Sequence, residues 1–189
     1  SLDNIYRYCI SKMSFAHFLE TEEHKKNLIK SDIKKNLFII GAPSLENSKK
    51  NLISKERFEK KYNFEFQKNK KILLATFHPE TTKSIYQNNK YLRIFLNFLK
   101  KVNQNVIITY PNADTGFKNY INLIKKFSLN NKNFLVVPHL GRINYLSALK
   151  FSDLLLGNSS SGITESATFK IPCIDVGDRQ KNRTRNSNV

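Results

Sequence analysis

Acidic side chains are scarce in this chain: 15 Asp and Glu stand against 32 Lys and Arg, for a formal net charge of +17. Tryptophan is absent and cysteine occurs twice among 189 residues. Cys9 and Cys173 lie far apart in different apolar contexts, with no CxxC, so neither a disulfide framework nor a catalytic thiol is expected and both belong in packing roles. The four histidines have no metal-ligand spacing with carboxylates or cysteines, so no metal site is expected from them. No apolar run nears the roughly 20 residues of a membrane span. No secretory signal peptide is expected from the first residues as they stand. A cytoplasmic protein without a membrane partner fits these absences.

The positive excess raises the question of nucleic acid. The lysines are scattered as doublets, among them Lys25-Lys26, Lys60-Lys61 and Lys125-Lys126, and are accompanied by many Asn and Ile, the bias of an AT-rich genome. A solvated basic face is the reading that follows, with no nucleic-acid partner. Such a face still steers small anions inward.

What the sequence does contain is a set of short apolar runs, each followed by polar residues. In the first 45 residues, Leu2 to Met13 reads as a helix, Phe15 to Leu19 and Leu37 to Ile40 as strands, and Thr21 as the N-cap of a helix with Glu22 and Glu23 in its first turn. Residues 46–70 are polar and read as a connector containing one helix around Lys55 to Tyr62. From residue 71 the alternation is regular. Strands are expected at Ile72–Phe77, Val106–Tyr110, Phe134–Val137, Leu154–Leu156 and Cys173–Val176, with helices over 84–101, 117–129, 142–151 and 163–170. Continuous apolar strands separated by helices predict an α/β fold with a parallel, Rossmann-like sheet buried on both faces.

In such a sheet, ligands bind beyond the carboxyl ends of the strands. The first strand ends at His78-Pro79-Glu80-Thr81, the second at Pro111-Asn112-Ala113-Asp114, the third at Pro138-His139, the fifth at Gly177-Asp178-Arg179-Gln180. The fourth ends in Gly157-Asn158-Ser159-Ser160-Ser161-Gly162, and the order strand, Gly/Ser turn, helix predicts an anion seat at a helix start. Ser159 and Ser160 can donate to phosphate oxygens. A single helix cap needs one Ser, not three. Glu165 can accept both hydroxyls of a ribose diol, or simply favour the helix dipole. His78 is placed to meet a phosphate or transfer a proton, and Arg179 to answer a diphosphate charge. Asn112 and Asp114 either touch ligand or form an Asx turn, and His139 sits on the same edge. His17 and His24 read as structural or exposed.

Taken together, Thr76 to Thr81, Tyr110 to Gly116, Gly157 to Glu165 and Gly177 to Gln180, with Ser11 to Phe18 upstream, closely resemble the hydrolysing UDP-N-acetylglucosamine 2-epimerases of sialic-acid-type biosynthesis. The resemblance runs in order over almost the whole chain. It implies the GT-B architecture, two Rossmann-like domains with the site between them. Residues 1–45 are then expected as a remnant of the first domain, 46–70 as the connector and 71–189 as the second domain, incomplete at its C-terminus. It implies a reaction that converts UDP-N-acetylglucosamine and water to N-acetylmannosamine and UDP. UDP leaves by elimination to a 2-acetamidoglucal, and water then adds with inversion at C2. It assigns UDP to His78, Asn112, His139, Ser159, Ser160, Glu165 and Arg179. The acid/base carboxylates fall mostly in the other domain, with Asp3 near the position of one. The substrate partner is a UDP-sugar, no metal or redox cofactor is implied, and a homodimer of the full-length enzyme fits the family. A GT-B glycosyltransferase and a non-catalytic nucleic-acid-binding module are the other two readings, separated from the first by an acceptor requirement for UDP release and by salt-dependent nucleic-acid binding.

Overall fold

Apolar runs flanked by turn residues become strands because burial on both faces rewards β-branched and aliphatic side chains, and here helices supply both covers. A computed structural model describes residues 2–113, 116–129, 131–181 and 183–189, with the side chains of residues 2–4 left aside. Asp114, Thr115, Asn130 and Asn182 lie outside the described residues. The chain divides into two units, Ser1–Ser48 and Lys49–Val189.

In the first unit, α1 (Leu2–Met13) precedes β1 (His17–Leu19), α2 (Glu22–Lys30) and β2 (Leu37–Ile39). The two strands pair in parallel with His17 opposite Leu37. Thr21 caps α2 as expected, its side-chain oxygen accepting from the His24 N–H at 3.2 Å. His17 is buried. Cys9 is exposed rather than packed. The helix that carries it shows Ile5, Tyr6, Tyr8 and Ile10 to solvent as well, so there is no core there for the thiol to join among the described residues.

The second unit opens with α3 (Lys55–Tyr62) and continues as β3 (Ile72–Thr76), α4 (Ile85–Val102), β4 (Asn105–Thr109), α5 (Phe117–Ser128), β5 (Phe134–Val137), α6 (Gly141–Phe151), β6 (Leu154–Gly157), α7 (Glu165–Thr168) and β7 (Cys173–Asp175). All five strands are parallel, in the order β5-β4-β3-β6-β7. Alternation along each strand feeds two cores. Leu73, Ala75 and Ile108 face Leu92, Leu96 and Tyr120 of α4 and α5. Leu74, Ile107 and Leu155 face the other way, with Phe58, Phe66 and Leu149. Each fully buried Leu or Phe side chain contributes about 2 kcal/mol. The stretch expected as a connector therefore adds Phe58 and Phe66 to this core.

The strand order carries the functional information. The chain leaves β3 toward β4 and β5, then returns to lay β6 on the opposite side of β3. The connections before and after therefore diverge, and a crevice opens between the carboxyl ends of β3 and β6, the topological switch point of an open α/β sheet.

Candidate functional site

Two loops meet at that crevice. Gly157 ends β6 with φ +141, and a Cβ built on it would fall 1.9 Å from the Thr76 carbonyl oxygen. Only glycine allows the β6 backbone this close to β3. The next residue, Asn158, is wholly buried. Its main-chain N–H donates to the Thr76 oxygen at 3.2 Å. Its Oδ1 accepts the His78 N–H at 2.7 Å, and its Nδ2 donates to the His78 oxygen at 2.9 Å. Its own carbonyl accepts from Arg179 Nη1 at 3.1 Å and Gln180 Nε2 at 2.8 Å. One side chain and one carbonyl thus join the ends of β3, β6 and β7.

His78 is held a second time. The main-chain N–H of Asn112, beyond β4, donates to His78 Nδ1 at 3.0 Å. A nitrogen that accepts has no proton, so the neutral ring carries its proton on Nε2. Burial and the nearby Arg179 guanidinium push the imidazole down to about 4. At neutral pH it is an uncharged hydrogen-bond donor beside a cation.

The serine run is tied down from below. The Tyr145 hydroxyl on α6 donates to Ser161 Oγ at 2.7 Å, and burial pushes that phenol upward. Ser159 Oγ accepts the Ser161 N–H. Ser160 stays exposed. The Thr164 hydroxyl donates to Glu165 Oε2, which orients that carboxylate at the start of α7.

The helix expected over 163–170 is shorter. Ser160–Gly162 form a 3-10 turn, and α7 spans only Glu165–Thr168. Side chains take the carbonyls that a longer helix would use: Asn186 Nδ2 donates to the Ile163 oxygen at 2.9 Å, and Ser166 Oγ to the Gly162 oxygen at 2.7 Å. Lys170 then turns left-handed at φ +56. A one-turn helix has little dipole, so an anion here meets turn amides, hydroxyls, His78 and Arg179 rather than a strong helix end.

Among the expected site residues, His78, Asn112, Ser159 and Arg179 are thus linked directly or through Asn158 and its neighbour, with Ser160 and Glu165 on the same loop. His139 is exposed beyond β5, two strands from β3, and its Nδ1 accepts the Gly141 N–H at 3.0 Å. It does not bond to the cluster. Asp3 falls in α1, and its side chain lies outside the described residues. Asn158, Gln180 and Tyr145 are the residues to which sequence reasoning gave no role. The only signal for Asn158 was its place between a strand-ending glycine and the serines. Among the described residues no cluster of three His, Cys, Asp or Glu could hold a metal, and no helix is long and apolar enough to cross a membrane. A cavity of about 410 Å³ lies on the α4 face, lined mainly by apolar residues such as Tyr91, Phe95, Phe98 and Ile174 and reaching Glu80 and Asp178 beside the crevice.

A family model described as UDP-N-acetylglucosamine 2-epimerase matches residues 1–189. Over 193 residues the sequence is 35% identical to a hydrolysing GDP/UDP-N,N'-diacetylbacillosamine 2-epimerase of Campylobacter jejuni, covering 100% of this chain and 50% of that protein. Over 191 residues it is 32% identical to a hydrolysing UDP-N,N'-diacetylbacillosamine 2-epimerase of Legionella pneumophila, with the same coverage of 100% and 50%. The chain spans about half the length of the curated relatives it matches. The crystal structure of a UDP-GlcNAc 2-epimerase from Neisseria meningitidis, bound to UDP-GlcNAc, matches with a TM-score of 0.66 at 20% identity, over 89% of this chain and 46% of that one. That likeness shows the fold, the GT-B type of α/β architecture.

Proposed function

Because the chain belongs to the UDP-N-acetylglucosamine 2-epimerase family, we propose that it is the nucleotide-binding part of a hydrolysing 2-epimerase. The protein would convert a UDP-linked N-acetyl sugar and water to the 2-epimeric free sugar and UDP. The sugar is N-acetylglucosamine or a diacetylated 6-deoxy relative such as the one named for the Campylobacter and Legionella proteins. The observation that supports this reading best is the cradle at the β3–β6 crevice, where an uncharged imidazole, a guanidinium and a hydroxyl-bearing turn meet.

The chemistry sets what such a cradle must do. Loss of the C2 proton to a base supplies the electron pair of a C1–C2 double bond, and the C1–O bond breaks with its electrons going to the diphosphate. Charge therefore develops on the leaving group, and donors aimed there lower the barrier. In this reading Arg179 and His78 Nε2–H stabilise the departing diphosphate, Ser159 and Ser160 donate to its oxygens, and Glu165 accepts the ribose hydroxyls. Asn112 orients His78, and His139 contacts UDP from beyond β5. Water then adds across the double bond with inversion at C2. The C2 base belongs to residues outside this cluster, with Asp3 as one acidic group to test. The net charge of +17 draws the dianionic substrate inward. No metal or redox group is needed. The enzyme would work in the cytoplasm, in sialic- or legionaminic-type sugar synthesis, as a homodimer and without a nucleic-acid partner.

The test is to incubate the full-length protein with UDP-N-acetylglucosamine, and separately with UDP-N,N'-diacetylbacillosamine, in D2O. Free UDP and a 2-epimeric sugar deuterated at C2 are expected. UDP release only when an acceptor sugar is added would overturn the assignment in favour of a glycosyltransferase.

A further inference from the structure

Asn158 makes more directed contacts than a loop residue needs. It is wholly buried, its amide satisfies both main-chain groups of His78, and its carbonyl is shared by Arg179 and Gln180. Gln180 is itself buried, and while its Nε2 holds that carbonyl its Oε1 has no hydrogen-bond partner among the described residues. A buried acceptor left unpaired is costly, and an apolar side chain of similar size would avoid that cost. The fold bears that cost where Gln180 holds the Asn158 carbonyl.

We propose that Asn158 is a positioning residue: its side chain sets the His78 main chain and its carbonyl sets the Arg179 guanidinium, so that both groups face one diphosphate. The inference rests on the nucleotide reading of this site. His78 is gripped at its backbone by Asn158 and at its ring by Asn112, which leaves Nε2 a fixed direction. Arg179, reaching from the end of β7, donates to the Asn158 carbonyl, and the bonds of the same residue to Thr76 and His78 help fix that oxygen. The two donors are therefore coupled through one residue that touches no substrate.

Coupling of this kind is measurable by a double-mutant cycle. In the full-length protein, UDP affinity is read by calorimetry for the unaltered chain, Arg179→Ala, Asn158→Ala and the pair. Arg179→Ala is expected to weaken UDP about tenfold alone, and less than about threefold when Asn158 is already Ala, because the guanidinium is no longer aimed. In the ligand-free protein the Asn112 amide resonance should move in Asn158→Ala, since His78 then leaves it; a residue that merely stabilised the fold would lower the melting temperature without that local signature. Where Asn158→Ala does not fold, Asn158→Asp serves in the same cycle, keeping the size and the acceptor for the His78 N–H but losing the donor. Effects that multiply, with the Asn112 resonance unmoved, overturn the inference while the UDP reading stands. Absence of saturable UDP binding by the unaltered full-length protein removes that reading and the inference with it.

Discussion

The main-chain N–H of Asn112 donates to Nδ1 of His78 across 3.0 Å, joining the ends of two adjacent strands through an imidazole ring. A ring so held cannot take a second proton on Nδ1 without losing that bond. His78 should therefore appear as the neutral Nε2–H tautomer in nitrogen-detected NMR from pH 8 down to pH 5, about one unit above its lowered value of about 4. A titration midpoint near the ordinary 6.5 would show that the bond does not form in solution.

The same shift has a consequence for stability. The folded ring protonates near 4 and an unfolded one at 6.5, so between these values the unfolded chain binds more protons. The contribution is fully present above about pH 6.5 and is lost as pH falls toward 4, with an upper bound on the order of 3 kcal/mol. Urea midpoints between pH 7.5 and 4.5 should fall more steeply for the unaltered protein than for His78→Asn, which keeps an acceptor for Asn112. Equal slopes would mean that the folded His78 ring does not resist protonation.

Gly157 and Gly162 make contrasting predictions. A Cβ at Gly157 meets backbone at 1.9 Å with φ +141, and nothing nearby can yield, so Gly157→Ala should cost on the order of 4 kcal/mol or more and give little folded protein. A Cβ at Gly162 meets instead the Cys173 Sγ at 2.5 Å. Gly162→Ala should cost about 2 kcal/mol by overpacking, and Cys173→Ala in the same chain should recover part of that loss in thermal melts. Additive losses would place the strain elsewhere.

Tyr145→Phe removes the hydrogen that the Ser161 hydroxyl receives at 2.7 Å. Because Ser161 is buried, about 1 kcal/mol of stability should go with it. UDP affinity should fall less than about threefold, as the serine turn loosens without losing a ligand-facing group. A drop as large as that of Glu165→Ala, expected at about tenfold, would mean that Tyr145 touches the nucleotide itself.

Much of the second unit was legible in the sequence because its strands are uninterrupted aliphatic runs, such as Ile72 to Ala75 and Val106 to Ile108, that have no other means of burial. The serine loop and His78 were legible as chemistry at strand ends. Strand order was not, since any parallel order buries the same side chains, and only the return of the chain to lay β6 against β3 brings His78 to Asn158. The length of α7 was over-read from sequence: Ile163 to Lys170 has helix-forming residues, but Asn186, twenty-three positions away, takes the Ile163 carbonyl. Asn158 and Gln180 went unread for the same reason, as their partners lie 80 and 22 residues distant.

Occupation of the β3–β6 crevice by UDP is tested by a UDP titration of the full-length protein followed residue by residue in amide NMR spectra. Saturable shifts concentrated at His78, Asn112, Ser159 to Glu165 and Arg179, saturating at about tenfold higher UDP in Glu165→Ala, are the predicted result. Shifts centred on the apolar cavity beside Tyr91 and Phe98, or none at saturating UDP, would contradict it.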